Sequence, residues 1–351
     1  ALYEYPNNDV GISEWGSNNF MHSRGEVRSF LQSCANYWLQ TFHFDGLRMD
    51  AISRIIYWHG DEKRGVNGNA VDFIKYMNQG LKDRNPGCFL AAEDSTNFSN
   101  VTKSVSEGGL GFDYKWDMGW MHDTLSYFQM SPDDRYNNYH KLTFSMMYYY
   151  NEKFLLPLSH DEVVHGKATI LQKMYGDYDI KFPQARAFYM YMMVHPGKKL
   201  NFMGNELGQF REWDEKREQD FMLLDFPIHR AFNNYIADLN KNYLSHPAFF
   251  GKEYDYDGFK WLDCNSPDRL MYSILREDNK SRIFAIFNFS KYEQIDYRIE
   301  LPDNKGVNIL MNSDWKCYGG NADENNVFWH IDGNTLTCTM PRFSAALFEL
   351  K

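Results

Sequence analysis

A barrel built from parallel α/β units, followed by an all-β sandwich, is the fold this sequence predicts, and three observations predict it. Three short apolar runs each end in a carboxylic acid: Phe44-Asp45-Gly46-Leu47-Arg48-Met49-Asp50, Phe89-Leu90-Ala91-Ala92-Glu93-Asp94 and Leu156-Pro157-Leu158-Ser159-His160-Asp161. Helix-period segments alternate with these runs, and such alternation makes the strands parallel. From about Phe249 the pattern changes to short period-two runs between turn residues. In a parallel barrel the C-terminal strand ends open on one face, where active sites sit.

The elements follow in order. Ser23-x-x-Glu26 is a capping box, and Val27, Phe30, Leu31, Cys34 and Trp38 recur behind it at helical spacing. That helix leads into the strand tipped by Asp50. A polar, Gly-rich loop runs on through Asn69. Val71, Ile74, Met77 and Leu81 then mark a second helix, stopped by Asn85-Pro86-Gly87. The strand Cys88 to Ala92 comes next and meets Glu93. A βαβ unit takes ~30 residues or more. The 43 positions from Asp50 to Glu93 fit one unit with a long loop, and the 68 from Glu93 to Asp161 fit two. The middle strand of that second interval falls near Gly111-Phe112-Asp113-Tyr114-Lys115. A last helix, Ala185 to Val194, ends at Pro196-Gly197, and a last strand, Leu200 to Met203, meets Gly204-Asn205-Glu206.

Beyond these, Leu270, Tyr272 and Ile274, then Ile283, Ala285, Phe287 and Phe289, alternate at period two. Asp278-Asn279, Pro302-Asp303-Asn304, Gly319-Gly320 and Asp332-Gly333-Asn334 separate such runs as turns. The predicted domains are therefore residues 1–245, the barrel part, and 246–351, a β-sandwich.

Bulk composition narrows the function. The 351 residues are 43% hydrophobic, enough for a large core, and the net charge of −10 argues against a nucleic-acid partner. Aromatic residues make up 17%; most belong in the core, and a minority suit sugar rings as flat platforms. The five cysteines, Cys34, Cys88, Cys264, Cys317 and Cys338, form no Cys-x-x-Cys pair, which points to reduced thiols of a cytoplasmic protein and to no zinc site. No run of about 18 apolar residues predicts a membrane span, and no signal peptide is recognisable. Ala1-Leu2-Tyr3-Glu4-Tyr5-Pro6 has the character of mid-chain sequence.

The strand-end residues carry the chemistry. Arg48 and Asp50 are two apart on a strand, so both point to one side, and the arginine favours the ionised acid that a nucleophile needs. An ordinary buried ion pair has the same pattern. Glu93 is flanked by Asp94; neighbouring carboxylates raise a pKa toward the range of a proton donor, although a loop or capping acid fits as well. The His160 imidazole is placed to donate to a substrate hydroxyl, or to form a local turn pair with Asp161. Three acids at strand ends supply a nucleophile, an acid and a stabiliser of positive charge, the set that cleavage of a sugar acetal uses.

The same segments resemble the regions around the catalytic acids of the alpha-amylase superfamily, and within it the group of 1,4-α-glucan (glycogen) branching enzymes. Ala92-Glu93-Asp94-Ser95-Thr96 is similar to the acid/base segment. Leu158-Ser159-His160-Asp161-Glu162-Val163-Val164-His165-Gly166-Lys167 is a long match where amylases usually carry Asn-His-Asp. The stretch Gly109 to Asp123, Phe202-Met203-Gly204-Asn205-Glu206 and Arg211-Glu212-Trp213 match too. The resemblance implies Asp50 as nucleophile, Glu93 as general acid/base and Asp161 as stabiliser of the distorted sugar, with Arg48 and His160 binding the donor glucose. It implies retaining double displacement on α-1,4-glucan as donor and acceptor, forming α-1,6 branches without metal or organic cofactor. An amylase-type hydrolase and an inactive glucan-binding fragment remain alternatives. The superfamily's first motif region has no counterpart here, so a partial (β/α)8 TIM-type barrel, its later strands only, and an incomplete enzyme are the expectation.

Overall fold

The computed structural model describes residues 3–351; Ala1-Leu2, part of the opening stretch with mid-chain character, lies outside them. The chain packs as two compact units. One holds the residues up to Met118 together with Asn151–Leu155, the other Gly119–Tyr150 with Leu156–Lys351.

The first unit alternates helix and strand as predicted up to its second strand, but reaches the third through a short 3₁₀ turn, Val105–Glu107, in place of a helix. Helix α1 (Gly25–Thr41) precedes β1 (Gly46–Met49), α2 (Gly68–Arg84) precedes β2 (Phe89–Ala92), and β3 (Tyr114–Trp116) follows. β1 pairs parallel with β2, β2 with β3, and β3 with the start of β4 (Phe154–Leu158). Helix α2 starts where the Asn67 side chain accepts from the Ala70 amide, and it buries Phe73, Ile74, Met77 and Leu81. These side chains share one core with Ile52, Ile56, Leu90 and Ala92. Gly46 is needed where β1 closes on β2, because a Cβ there would sit 2.3 Å from the Phe89 carbonyl oxygen.

Three local expectations differ here. Helix α1 begins at Gly25 behind Arg24 with no side-chain cap, so Ser23-x-x-Glu26 is not a capping box. Its periodic positions are not all core: Val27 is buried, whereas Phe30 and Trp38 are exposed, and the helix's other buried residue, Leu39, lies outside that set. Trp38 instead stacks on Phe44, with ring centroids 5.8 Å apart and planes at 3°. Periodicity marks an apolar stripe but not the surface it packs on. The loop after Asp50 holds a helical turn, Ser53–Ile56, which drives Ile52 and Ile56 into the core.

The second unit holds the end of β4, β5 (Lys198–Asn201), α3 (from Met118 to Gln129, entering it at Gly119), α4 (Tyr178–Val194) and α5 (Pro227–Ser245). Within this unit the Phe202 amide just past β5 donates to the Leu158 carbonyl of β4 at 2.9 Å. Helix α4 starts seven residues before the predicted Ala185 and runs through Pro183. Beside that proline, the Gln184 side-chain Nε2 donates to the Ile180 carbonyl at 2.9 Å and the Tyr175 carbonyl at 2.7 Å, which holds the turn. The last strand lies two residues earlier than predicted.

Eight antiparallel strands complete this unit. They are β6 (Phe259–Ser266), β7 (Met271–Glu277), β8 (Arg282–Asn288), β9 (Gln294–Glu300), β10 (Val307–Asn312), β11 (Trp329–Asp332), β12 (Thr335–Met340) and β13 (Ser344–Leu350). They form a sheet of order β10-β13-β8-β7-β6 and a second of order β11-β12-β9. Met271, Leu275, Phe284, Ile286 and Phe348 share a core with Ile299, Leu336 and Met340, so the two sheets pack as the predicted sandwich. The period-two pattern implied one buried face, yet β7, β8 and β13 are buried on both. The second face meets helices of the same unit: the Tyr191 ring of α4 stands edge-on to Phe287 at 5.9 Å. Phe348 is fully buried and stacks on Phe284 at 4.8 Å. Phe348→Ala should therefore lower unfolding stability by about 3–5 kcal/mol, read as a lower urea midpoint at unchanged slope.

All five cysteines are free thiols. Among the described residues, no helix is long and apolar enough to cross a membrane.

Candidate active site

The parallel register delivers two acids side by side. Arg48 pairs with Ala91 and Met49 with Ala92. The ladder then runs one step further: the Glu93 amide donates to the Met49 carbonyl at 3.0 Å, and the Ile52 amide to the Glu93 carbonyl at 3.0 Å. Asp50 and Glu93 thus leave adjacent strand ends in step. One terminal nitrogen of Arg48 donates to Asp50 Oδ1 at 3.0 Å and also to Glu93 Oε2. The Ala51 amide adds a donor to Glu93 Oε2 at 3.2 Å. The guanidinium lies 4.4 Å above the ring of buried Trp116 from β3, a cation–π contact that fixes its plane.

The two carboxyls differ in solvation: the Glu93 side chain is 16% exposed and that of Asp50 77%. Burial, and then the hydrogen bond with Asp50, push the Glu93 pKa up to about 7, against the pull of the Arg48 cation and the Ala51 amide. A proton held near neutrality on one acid beside a second, solvated acid is an arrangement in which paired carboxyls can take different parts in acid–base chemistry. The sequence expectation that neighbouring acids raise Glu93 needs one correction: Asp94 is not the neighbour responsible. Its buried carboxylate accepts from Lys115 Nζ at 2.8 Å, and Lys115 also donates to the Thr96 carbonyl at 2.9 Å. That pairing cancels the Asp94 charge beside the site.

Because the Arg48 cation favours ionised Glu93, Arg48→Met should raise the Glu93 pKa above about 7. Arg48→Lys, which keeps the charge, should raise it less. A ¹³C NMR titration of the glutamate carboxyls checks the order.

His160 and Asp161 lie in the second unit, on the segment after β4. Ser159 Oγ accepts from the Asp161 amide at 3.2 Å, while the Glu162 carboxylate accepts from the Ser159 amide at 2.6 Å and its hydroxyl at 2.7 Å. This reciprocal cap fixes the turn. His160 Nε2 is 3.5 Å from Asp161 Oδ1, the local pair that the sequence allowed. The His160 ring faces Phe202 at 5.9 Å and Trp213 at 6.3 Å. His160, His165, Arg211, Trp213 and Arg217 line a cavity of about 430 Å³. The five predicted site residues thus fall as three and two: Arg48, Asp50 and Glu93 meet in the first unit, and His160 and Asp161 in the second.

Trp116 and Trp213 were inside the matching segments but had no assigned part. Alternation on β3, which sends Lys115 to Asp94 and Trp116 to Arg48, is the signal that finds the first; only the fold finds the second. Among the described residues, no group of three or more His, Cys, Asp or Glu side chains is arranged to hold a metal ion.

Comparison with known proteins follows the same lines. Residues 261–351 match the family model of the alpha amylase C-terminal all-beta domain. Over 326 residues the chain is 41% identical to the 1,4-alpha-glucan branching enzymes GlgB of Bacillus cereus (strain G9842) and of Bacillus thuringiensis subsp. konkukian (strain 97-27), covering 92% of this chain and 50% of each relative. The chain spans about half the length of the curated relatives it matches. Among solved structures, the Nostoc punctiforme debranching enzyme superposes with a TM-score of 0.69 at 15% identity, over 99% of this chain and 67% of that one. The alpha-amylase from Geobacillus thermoleovorans, complexed with acarbose, gives 0.67 at 14% identity, over 100% and 72%. The likeness to branching enzymes drawn from the motifs holds along nearly the whole chain, and the fold is of the amylase type.

Proposed function

We propose that this chain carries catalytic acids of a 1,4-α-glucan branching enzyme, a glycosyltransferase that cleaves an α-1,4 linkage and rejoins the chain through an α-1,6 linkage. The observation that carries the proposal is the single Arg48 nitrogen shared by Asp50 and Glu93. Two carboxyls on one donor suit the ~5.5 Å spacing of retaining glycosidases better than the ~9.5 Å upper value of inverting ones.

In this reading Asp50 attacks the anomeric carbon and forms the glycosyl-enzyme bond. Glu93, protonated at the start, gives its proton to the leaving glycosidic oxygen. The resulting carboxylate then takes the proton of an acceptor 6-hydroxyl, whose oxygen displaces Asp50 and regenerates both acids. Arg48 orients the pair and, with His160, binds the donor glucose; Asp161 stabilises the distorted sugar. The α-1,4-glucan serves as donor and acceptor, and the acids need no metal or organic cofactor. Residues 1–245 are read as the later part of the catalytic barrel and 246–351 as its β-domain. Glycogen biosynthesis in the cytoplasm is the setting that fits.

The test is incubation of the protein with amylose. New α-1,6 linkages, seen by NMR and by release of short chains with a debranching enzyme, support the proposal. Reducing ends without α-1,6 linkages make the protein a hydrolase. Glucan binding with neither product makes it a binding module.

A further inference from the structure

The segment that carries His160 and Asp161 is bent in a way that it does not hold alone. Three of the four residues 165–168 have left-handed backbone: His165 at φ 57°, Gly166 at 78° and Ala168 at 67°. Residues other than glycine take that conformation only where their surroundings impose it.

Two side chains impose it. The Glu212 carboxylate spans the bend, Oε2 accepting from the Gly166 amide at 2.9 Å and Oε1 from the Ala168 amide at 2.6 Å. The buried ammonium of Lys173 donates to the carbonyls of Glu162 and Ala168. The residue after Glu212 ties the other end: the Trp213 amide donates to the Val163 carbonyl at 3.0 Å. The Trp213 ring stands edge-on to His160 and perpendicular to Phe202 at 5.3 Å. Glu212 and Trp213 therefore grip the segment on both sides of its bend.

We propose that Glu212 is a positioning residue of the candidate site, which sets His160 and Asp161 by holding the 166–168 backbone. The inference rests on the function proposed above, because it takes those two residues to be working parts. A carboxylate suits the task because two amides 2 residues apart each need an acceptor. Glutamine offers one acceptor and turns an NH2 toward the other amide; aspartate, one methylene shorter, does not reach as far.

The experiment compares E212Q with the double variant E212Q/A168G and with E152Q as a control. Glu152 spans two amides in the same way, those of Val101 and Thr102 at 2.8 Å each, but it is buried where Glu212 is only half-buried, and it holds no candidate residue. Four quantities are read on each protein: kcat and KM on amylose, the thermal midpoint, and the NMR resonance positions of the His160 ring at fixed pH, which report its placement against Phe202 and Trp213. E212Q should lower kcat by about 10- to 100-fold, the scale of a misplaced group, and move the His160 ring resonances at nearly unchanged midpoint. A168G should restore part of the loss, since glycine takes positive φ without steric cost. E152Q should lower the midpoint and leave kcat per folded molecule and the His160 ring resonances alone. Unmoved His160 ring resonances in E212Q, or no recovery in E212Q/A168G, overturn the proposal. The ring resonances need no turnover, so a wild-type protein that makes no branches refutes the function while the resonances still decide the part played by Glu212.

Discussion

Asp50→Asn is expected to lower glucan transfer by about 10⁴- to 10⁶-fold, the scale seen when a nucleophile is removed, with little change in glucan affinity. The amide nearly matches the carboxylate in shape but cannot form the glycosyl-enzyme bond. Arg48 keeps its bond to Glu93, and the Ala51 amide keeps its own, so the second acid stays in place. The Asp50 side chain is largely exposed, so the exchange leaves no new cavity. Steady-state assay of transfer and affinity electrophoresis in amylose gels separate the two effects. Near-normal turnover by a clean Asp50→Asn preparation would remove Asp50 from the role.

Glu93→Gln has the second largest expected effect, a loss of about 10²- to 10⁴-fold, as for removal of a general acid, and it carries a pH signature. The Glu93 pKa of about 7 means that the proton-donating form is lost above neutrality. In the wild type, kcat/KM should fall about tenfold per pH unit above that point. The Gln variant should show no such alkaline limb.

Stability should follow with a definite sign. The folded pKa is raised from 4.5 to about 7, so protonation favours the folded state. This stabilisation is complete below 4.5 and disappears as pH rises through about 7. The wild-type melting temperature should therefore fall relative to Glu93→Gln between pH 4.5 and 7.5. Parallel melting curves across that window would assign the titration to another group.

The alternation of helix and strand, the acids at the strand ends, the shift to antiparallel pattern after Phe249, and the placement of Arg48 and Asp50 on one side were all legible in the sequence. Each depends on residues within a few positions of one another, because strand period, helix period and turn chemistry are local properties of the backbone. The three-dimensional packing decided the rest. Glu93 takes its proton affinity from burial and from Asp50, 43 positions away, and Asp94 loses its influence to Lys115 on another strand. Both are desolvation and Coulomb effects, which act through space and leave no periodic mark on the chain. Two-sided burial of β7, β8 and β13 likewise required α4 to arrive on the second face. Glu212 has an ordinary sequence context; its grip on the backbone of Gly166 and Ala168 exists only once the chain after β5 returns to the segment after β4.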